Sequence, residues 1–287
     1  MTDSLTTPGL DGLSAASGLA GLGTGLDPAA GLVRPDVSLP VRGPAFERAD
    51  AAAVERLGQV SSATACAKLH GLGIRHSFVE GPRPLKPGYQ VVGSALTLQF
   101  MPQREDLAAG DEQEYVERHT ALWHVLETVQ PGDVLVIQAY GSRFSGCVGD
   151  ILARYFQRKG GAGMVVDGRI RDSGKIRDLG LPVWSTGVTP HYASQSELFP
   201  WAFDVPVAVG GVLCMPGDLV VADDDGPVIV PRAMADQVVA SAQDHEEWEG
   251  FSRQRLDEGA RLSDYYPLTP DTRGEFEAWR SAQGSAL

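Results

Sequence analysis

The middle of the chain alternates between strand and helix signals, and this alternation most constrains the fold. The apolar segment VLVIQA (134–139) is followed by a glycine-rich stretch at 141–149, the helical segment DILARYFQRKG (150–160) and a second apolar segment, GMVVDG (163–168). Strand, loop, helix and strand in this order predict a parallel βαβ unit with a right-handed crossover. A further strand is predicted at PVWSTGV (182–188). We therefore expect the α/β fold class.

Segments on both sides of this unit predict further elements. They are helices at 45–60, 61–73, 111–129 and 231–258 and a strand at 88–100. Ser61 or Ser62 is expected to cap the second helix. Short apolar segments between 205 and 231 are separated by turn residues at 216–218 and 224–226, which predicts antiparallel pairing. The expected sheet is therefore mixed, with helices flanking it.

The two ends of the chain differ in composition from its centre. Residues 1–45 are rich in Gly, Ala, Ser, Thr, Leu and Pro and show no sustained period. Such a segment buries too little apolar surface to offset its ordering entropy. We predict a disordered N-terminal tail at 1–45, one α/β domain at 46–268 and a C-terminal tail at 269–287.

Composition excludes several classes of protein. With 43% hydrophobic and 21% charged residues, the chain is typical of a globular protein. A formal net charge of −13 disfavours nucleic-acid binding, and no stretch approaches the roughly 18 apolar residues that cross a bilayer. Three cysteines without a CxxC pair, and a start without signal-peptide character, predict a cytoplasmic protein. An anionic substrate would need a local positive centre, from a metal or an arginine.

The glycine-rich stretch at 141–149 is a candidate binding element because it precedes a predicted helix. The first N–H groups of that helix, at Ile151 and Leu152, and the helix dipole are suited to a carboxylate. The ending of a Walker A loop is missing, which disfavours a nucleoside triphosphate. A plain glycine turn, with Asp150 as a favourable charge at the helix start, explains the same residues.

Charged residues follow two neighbouring predicted strands. Asp150 begins the first helix, and Arg171 and Asp172 follow the next strand. In a parallel unit these positions lie at the carboxyl ends of the strands, where open α/β sheets bind ligands. The three side chains could supply a metal ligand, a carboxylate clamp and an acid or base. A surface Arg–Asp pair is the alternative interpretation, and Lys159 and Lys175 are interpreted as solvated charges.

Residues 149–190 resemble the core signature of the RraA-like family. Their sequence is GDILARYFQRKGGAGMVVDGRIRDSGKIRDLGLPVWSTGVTP. Its Gly-Asp pair, followed twenty residues later by Arg-Asp, is similar to the pattern of 4-hydroxy-4-methyl-2-oxoglutarate and 4-carboxy-4-hydroxy-2-oxoadipate aldolases. The looser similarity extends from about residue 60 to 231. The resemblance implies a swivelling β/β/α fold and a homotrimer or homohexamer with sites at the subunit interfaces.

The resemblance also implies roles for individual residues. Asp172 would bind a divalent metal, Mg²⁺ or Mn²⁺, and Arg171 would contact the carboxylate or C2 oxygen of the substrate. The backbone at Gly149, Ile151 and Leu152 would bind the substrate carboxylate, and Asp150 would hold a catalytic water. A glutamate from a neighbouring subunit would complete the site. The candidates for it are Glu246, Glu247 and Glu249.

The function implied by the resemblance is a class II, metal-dependent lyase that cleaves a carbon–carbon bond of a small 2-oxo acid. Its expected activity is that of a 4-hydroxy-4-methyl-2-oxoglutarate aldolase with oxaloacetate decarboxylation as a side activity. Two alternatives stay open at this point. One is a non-catalytic regulator that binds ribonuclease E, and the other is a sugar-acid lyase or dehydratase.

Overall fold

A computed structural model of the protein describes residues 38–104, 120–193 and 197–284. The strands are β1 (Val41–Arg42), β2 (Arg83–Pro84), β3 (Val91–Pro102), β4 (Asp133–Gly146), β5 (Gly163–Ile170), β6 (Val183–Val188), β7 (Leu198–Phe203), β8 (Val207–Val209), β9 (Val212–Cys214), β10 (Leu219–Ala222) and β11 (Pro227–Val230). The helices are α1 (Ala51–Leu57), α2 (Ser62–Gly71), α3 (Ala121–Glu127), α4 (Asp150–Arg158), α5 (Ser173–Leu179), α6 (Ala235–Asp257), α7 (Leu262–Tyr265) and α8 (Pro270–Gly284).

The central sheet is mixed, as the sequence predicts. Its strand order is β1-β7-β3-β4-β5-β6-β2, and β3, β4, β5 and β6 run parallel to one another. The unit β4-α4-β5 is the predicted parallel βαβ unit. Strand β10 pairs antiparallel with both β3 and β11, and β8 and β9 form a separate antiparallel hairpin. The α/β fold class and the antiparallel pairing after residue 205 are therefore confirmed.

Strand β4 is buried on both faces, and its alternating side chains enter two cores. Leu135 and Ile137 belong to the core that helices α3, α4 and α5 cover. Val134 and Val136 face the core that includes the β8–β9 hairpin. A third core lies between α1, α2 and α6 and the β10–β11 pair. Burial on both faces explains why residues 134–137, VLVI, are continuously apolar instead of alternating.

The glycine-rich stretch differs from its prediction as a loop. Strand β4 continues to Gly146, with shifts in its register against β5 after Gln138 and again after Ser142. The backbone bends at Tyr140 and Gly141, which both have positive φ, at 54° and 63°. Because β5 still pairs with this bulged segment, only residues 147–149 separate the strand from α4. Bulges of this kind are common next to functional sites.

A strand of the sheet lies before residue 46, where the sequence placed the domain boundary. Strand β1 pairs parallel with β7, and Arg42 forms an ion pair with the buried Asp204. Arg48 donates two hydrogen bonds, of 2.7 and 2.9 Å, to the buried carboxylate of Asp133. Backbone pairing and ion pairs hold most of this segment, and only Phe46 at its end packs on the apolar core, so composition did not reveal it. Residues 1–37 of the predicted tail lie outside the described residues.

The C-terminal boundary also differs from the prediction. Residues 270–284, predicted as part of a tail, form α8, which packs on α6. The rings of Phe276 and Trp279 lie 5.7 and 5.6 Å from the ring of Phe251. Two aromatic residues three positions apart on one helix face explain this docking. The predicted helix at 111–129 is described only from Ala121 onward, because residues 105–119 lie outside the described part.

Two smaller predictions have clear outcomes. Ser61 caps α2, because its hydroxyl accepts a hydrogen bond from the backbone N–H of Thr64. None of the described helices combines the length and apolarity that crossing a membrane requires.

Candidate active site

The predicted site residues lie where β4 and β5 end and helices α4 and α5 begin. Gly149 is the N-cap of α4 and brings no side chain to cap it. The first intrahelical bond joins the N–H of Ala153 to the carbonyl of Gly149, so the N–H groups of Ile151 and Leu152 have no partner within the helix. The start of α4 therefore offers hydrogen-bond donors and a positive helix end.

Asp172 has an unusual backbone conformation at the start of α5. Its φ and ψ are 54° and 34°, in the left-handed region, which costs most residues about 1–2 kcal/mol and which Asp tolerates best together with Asn. Its side chain makes no capping hydrogen bond to α5, although aspartate at an N-cap usually does. The carboxylate instead lies beside the guanidinium of Arg171, with Oδ2 at 3.4 Å from Nε. Non-glycine residues held in this region cluster at functional sites.

Gly149 brings the two halves of the site together. A β-carbon at this position would lie 2.9 Å from Nε of Arg171 and 3.0 Å from Oδ2 of Asp172. Gly149 has φ −108° and ψ 179°, a conformation open to any residue. The glycine is therefore needed for space and not for backbone freedom. Its missing side chain lets Arg171 and Asp172 lie against the first turn of α4.

Lys175, predicted to be a solvated charge, is exposed and also lies next to a predicted site residue. It lies on the first turn of α5, and its Nζ is 3.7 Å from Oδ2 of Asp150. The Asp150 side chain is only 15% exposed, whereas that of Lys175 is 68% exposed. The ammonium thus partly balances a carboxylate that has lost most of its water. The sequence does not predict this pair, because the pair depends on α4 and α5 packing side by side.

A small cavity of about 180 Å³ opens at this point. Its lining residues come from α3, the ends of β4 and β5, the start of α4 and the segment after β6; they are Leu122, Trp123, Gly146, Cys147, Gly149, Asp150, Ile151, Leu152, Arg171, Tyr192 and Ala193. Five of the six residues predicted for the site line this cavity. Asp172 is not a lining residue but contacts Arg171, which is. The sequence did not predict that residues of α3 line the cavity, because α3 contains no motif that indicates a site.

The geometry can be compared with known proteins. A family model described as RraA-like, Aldolase/RraA, matches residues 59–230, well over half of the chain. The chain belongs to the RraA-like family. The matched range contains every residue that lines the cavity.

Relatives within the RraA-like family carry two kinds of description. A protein of Halalkalibacterium halodurans with the provisional name 4-hydroxy-4-methyl-2-oxoglutarate aldolase is 34% identical over 161 residues, which cover 56% of this chain and 69% of that protein. The crystal structure of Streptomyces coelicolor RraAS2, described as an unusual member of the RNase ES inhibitor RraA protein family, is 66% identical. It covers 73% of this chain and 99% of its own, with a TM-score of 0.67. An uncharacterized protein of Pseudomonas syringae pv. tomato is 26% identical, covering 80% of this chain and 99% of its own, with a TM-score of 0.66.

The donor set of this RraA-like site suits a hard cation with few protein ligands. Within the described ranges, no group of three or more His, Cys, Asp or Glu side chains is placed to hold a metal ion. Asp172, with no capping bond, and Asp150 nearby offer carboxylate oxygens. Mg²⁺ is usually held by one or two carboxylates, with water and substrate filling its other positions. The residues present therefore fit Mg²⁺ or Mn²⁺ and not a structural zinc site.

Cys147 also lines the cavity but is not suited to nucleophilic chemistry. Burial raises the pKa of its thiol to about 12, and the nearby Asp167 contributes in the same direction. The thiolate is the nucleophilic form, so the thiol is inert near neutral pH. Cys147 therefore acts as a small apolar wall residue.

The three candidate C-terminal glutamates lie on α6, outside the cavity of their own chain. Glu246 accepts a 2.8 Å hydrogen bond from the Thr64 hydroxyl. Glu249 lies 3.1 Å from Nε2 of His245. Glu247 forms an ion pair with a residue of α8. None of them is brought to Asp150 within one chain, so a contribution across a subunit interface stays a prediction.

Proposed function

We propose that the chain is a divalent-metal-dependent lyase that cleaves a carbon–carbon bond of a small 2-oxo acid, such as 4-hydroxy-4-methyl-2-oxoglutarate or oxaloacetate. The observation that carries the proposal is the meeting of Asp150, Arg171 and Asp172 around the uncapped start of α4. A guanidinium, uncapped N–H groups and two carboxylates beside a small cavity are the groups that this reaction needs.

The substrate carboxylate would lie against the polar wall of the cavity. Arg171 offers a planar fork of donors that matches a carboxylate, and the N–H groups of Ile151 and Leu152 add two more. A divalent cation held by Asp172 would supply a Lewis acid that polarises the C2 ketone. Binding at the C1–C2 end leaves C3 and C4 directed toward the rest of the cavity.

The retro-aldol step needs a base for the C4 hydroxyl proton. Asp150 lines the cavity and is the carboxylate placed to accept that proton, directly or through one water. As the O–H bond breaks, C4 and its oxygen form a carbonyl, the C3–C4 bond breaks, and its electron pair moves to C3 as the enolate of pyruvate. Protonation at C3 then gives pyruvate. Oxaloacetate yields the same enolate by losing CO₂, with no hydroxyl to deprotonate.

A second candidate function is the regulation of a ribonuclease through protein contact. The observation that favours it is the 66% identity to RraAS2, which is described as a member of an RNase inhibitor family. A net charge of −13 is suited to a basic protein partner. In either case we propose a homotrimer or homohexamer, which light scattering of the purified protein tests.

The deciding experiment is a pyruvate-release assay on the purified full chain. Pyruvate release from 4-hydroxy-4-methyl-2-oxoglutarate and from oxaloacetate is measured in the presence of Mg²⁺, in the presence of Mn²⁺ and after treatment with EDTA. We expect release from both that EDTA abolishes and added metal restores. No metal-stimulated release from either substrate would refute the lyase. Inhibition of a ribonuclease by wild type and by Arg171→Ala alike would then favour the regulator.

A further inference from the structure

We propose that Lys175 is a positioning residue for the retro-aldol step, because its ammonium holds the Asp150 carboxylate in the orientation that accepts the C4 hydroxyl proton. The inference rests on the proposed function and adds to it a residue that is not in the cavity lining. Lys175 would act only through Asp150. One observation at each end of the charge pair supports this role.

The Asp150 carboxylate is a side chain that does not cap its own helix. Asp150 is the first residue of α4, whose N-cap is Gly149. It lines the cavity with a side chain that is only 15% exposed, and its Oδ2 lies 3.7 Å from Nζ of Lys175. Because a side chain at a helix start can occupy several rotamers, the ammonium selects the one that faces α5. With Oδ2 next to the ammonium, Oδ1 is left for the substrate.

Lys175 lies at a position where a lysine disfavours the helix that contains it. It is the third residue of α5, and a cation in the first turn opposes the helix dipole. The same turn has no acidic residue and no side-chain cap, and it contains Gly174, a poor helix former. The charge of Lys175 is therefore unfavourable for α5 and favourable for Asp150. Local rules of this kind are broken mainly at functional sites.

Packing of the two helices keeps the pair within reach. Ile176 is buried next to the lysine and belongs to the core that Phe156 of α4 also enters. Gln157 of α4 donates a 3.2 Å hydrogen bond to the backbone carbonyl of Leu179 at the end of α5. Since both helices are fixed to one core and to each other, the ammonium reaches the carboxylate without movement of either helix.

This role affects the two proposed reactions differently. Cleavage of 4-hydroxy-4-methyl-2-oxoglutarate needs the proton transfer to Asp150, whereas oxaloacetate loses CO₂ without it. A residue that acts only through Asp150 changes the first reaction more than the second, and changes neither once Asp150 is replaced. A residue that only stabilises the fold changes both reactions together. A lysine that only attracts anionic substrates changes KM for both.

Lys175→Met removes the charge and keeps an unbranched side chain. With the purified full chain and saturating Mg²⁺, we expect kcat for the retro-aldol reaction to fall by roughly 10-fold and kcat for oxaloacetate by less than about threefold, because only the proton acceptor is displaced. KM should change little for either substrate. Lys175→Arg keeps a cation and should restore most of kcat. Lys86→Met, at an exposed position outside the cavity lining, is the matched control and should behave as wild type.

A double variant tests whether the effect passes through Asp150. Adding Lys175→Met to Asp150→Asn should lower retro-aldol turnover by less than about twofold, whereas independent contributions would multiply. The Tm of Lys175→Met should stay within about 2 °C of the wild-type Tm, because an exposed ion pair contributes little to folding.

The outcomes separate this inference from the lyase itself. Unchanged turnover in Lys175→Met, equal losses in both reactions, a loss that persists in the Asp150→Asn background, or no recovery in Lys175→Arg would each overturn the role of Lys175 and leave the lyase standing. Absence of pyruvate release by the wild-type chain from both substrates would refute the lyase, and this inference with it.

Discussion

The ammonium of Lys175 lies 3.7 Å from Oδ2 of Asp150, which joins the first turns of two successive helices by one charge pair. Asp150 follows β4 and Lys175 follows β5, so the pair marks the point where the carboxyl ends of neighbouring parallel strands meet. Gly149, Arg171 and Asp172 surround the same point. The groups proposed to bind the acid, hold the cation and move the proton are thus next to one another.

Asp172→Asn should abolish the response of the activity to metal while the fold survives. Asn tolerates the left-handed conformation of this position as Asp does, and the side chain caps nothing that the change would release. The measurement is pyruvate release against Mg²⁺ and Mn²⁺ concentration, with the Tm of both proteins. Asp178→Asn, an exposed position on the same helix, should behave as wild type. A variant at position 172 with wild-type activity at limiting metal would contradict the assignment.

Gly149→Ala should damage the site more than the fold. The backbone at Gly149 is accessible to alanine, but the added methyl would lie 2.9 Å from Nε of Arg171 and force that side chain to move. Displacements of about 1 Å at a reacting group cost roughly 100-fold in rate, so we expect kcat/KM to fall by about 10- to 100-fold. Gly174→Ala is the control, because a β-carbon there meets nothing within 4 Å. A similar kcat/KM for both variants would show that the space at Gly149 is not needed.

Arg171→Lys should not be a conservative change. An ammonium keeps the charge but cannot form two parallel bonds to a carboxylate. We expect kcat/KM to fall by roughly 10- to 1000-fold, which corresponds to about 1.4–4 kcal/mol. Steady-state kinetics with either proposed substrate measures it. A variant within about twofold of wild type would remove Arg171 from substrate binding.

Asp150→Asn distinguishes a proton acceptor from a structural residue. Gly149 is the N-cap of α4, so the change removes no cap; it removes a favourable charge from the first turn, worth about 0.3–1 kcal/mol, and the charge pair with Lys175. If Asp150 accepts the C4 hydroxyl proton, retro-aldol turnover should fall by roughly 10²- to 10⁴-fold. Oxaloacetate decarboxylation should fall less. Equal losses in both activities would point to damaged metal binding, and unchanged activities would exclude a catalytic role.

Alkylation should distinguish the three cysteines by their burial and acidity. The pKa of Cys147 is raised to about 12, and burial also raises the pKa of Cys214. At pH 8, below both raised values, these thiols stay protonated, so iodoacetamide should label only the half-buried Cys66 in the native protein. Mass spectrometry of digested protein locates the label, and denatured protein should label at all three positions. Rapid native labelling of Cys147 would contradict its inert role in the cavity wall.

Part of the site could be predicted from the sequence because its residues follow strand ends in a regular order. Gly149, Asp150, Ile151 and Leu152 are contiguous at a strand-to-helix junction, and Arg171 follows the next strand by the same rule. The resemblance to the RraA-like family then supplied their roles. Lys175 was interpreted as solvated, because its partner Asp150 lies on a different helix and the local sequence around Lys175 does not indicate that contact.

The sequence by itself determined strands β3, β4, β5 and β6, the parallel βαβ unit and the meeting of Asp150 with Arg171, whereas β7 and α5 were not predicted. The predicted features follow from local apolar runs and from the regular geometry of parallel strands. Only the tertiary structure decided that Leu122 and Trp123 close the cavity, that β1 joins β7 and that α8 docks on Phe251. Each of these depends on contacts between segments far apart in the chain. These contacts form because the segments fit together and bury surface in the folded protein. The spacing of residues within one segment does not encode that fit.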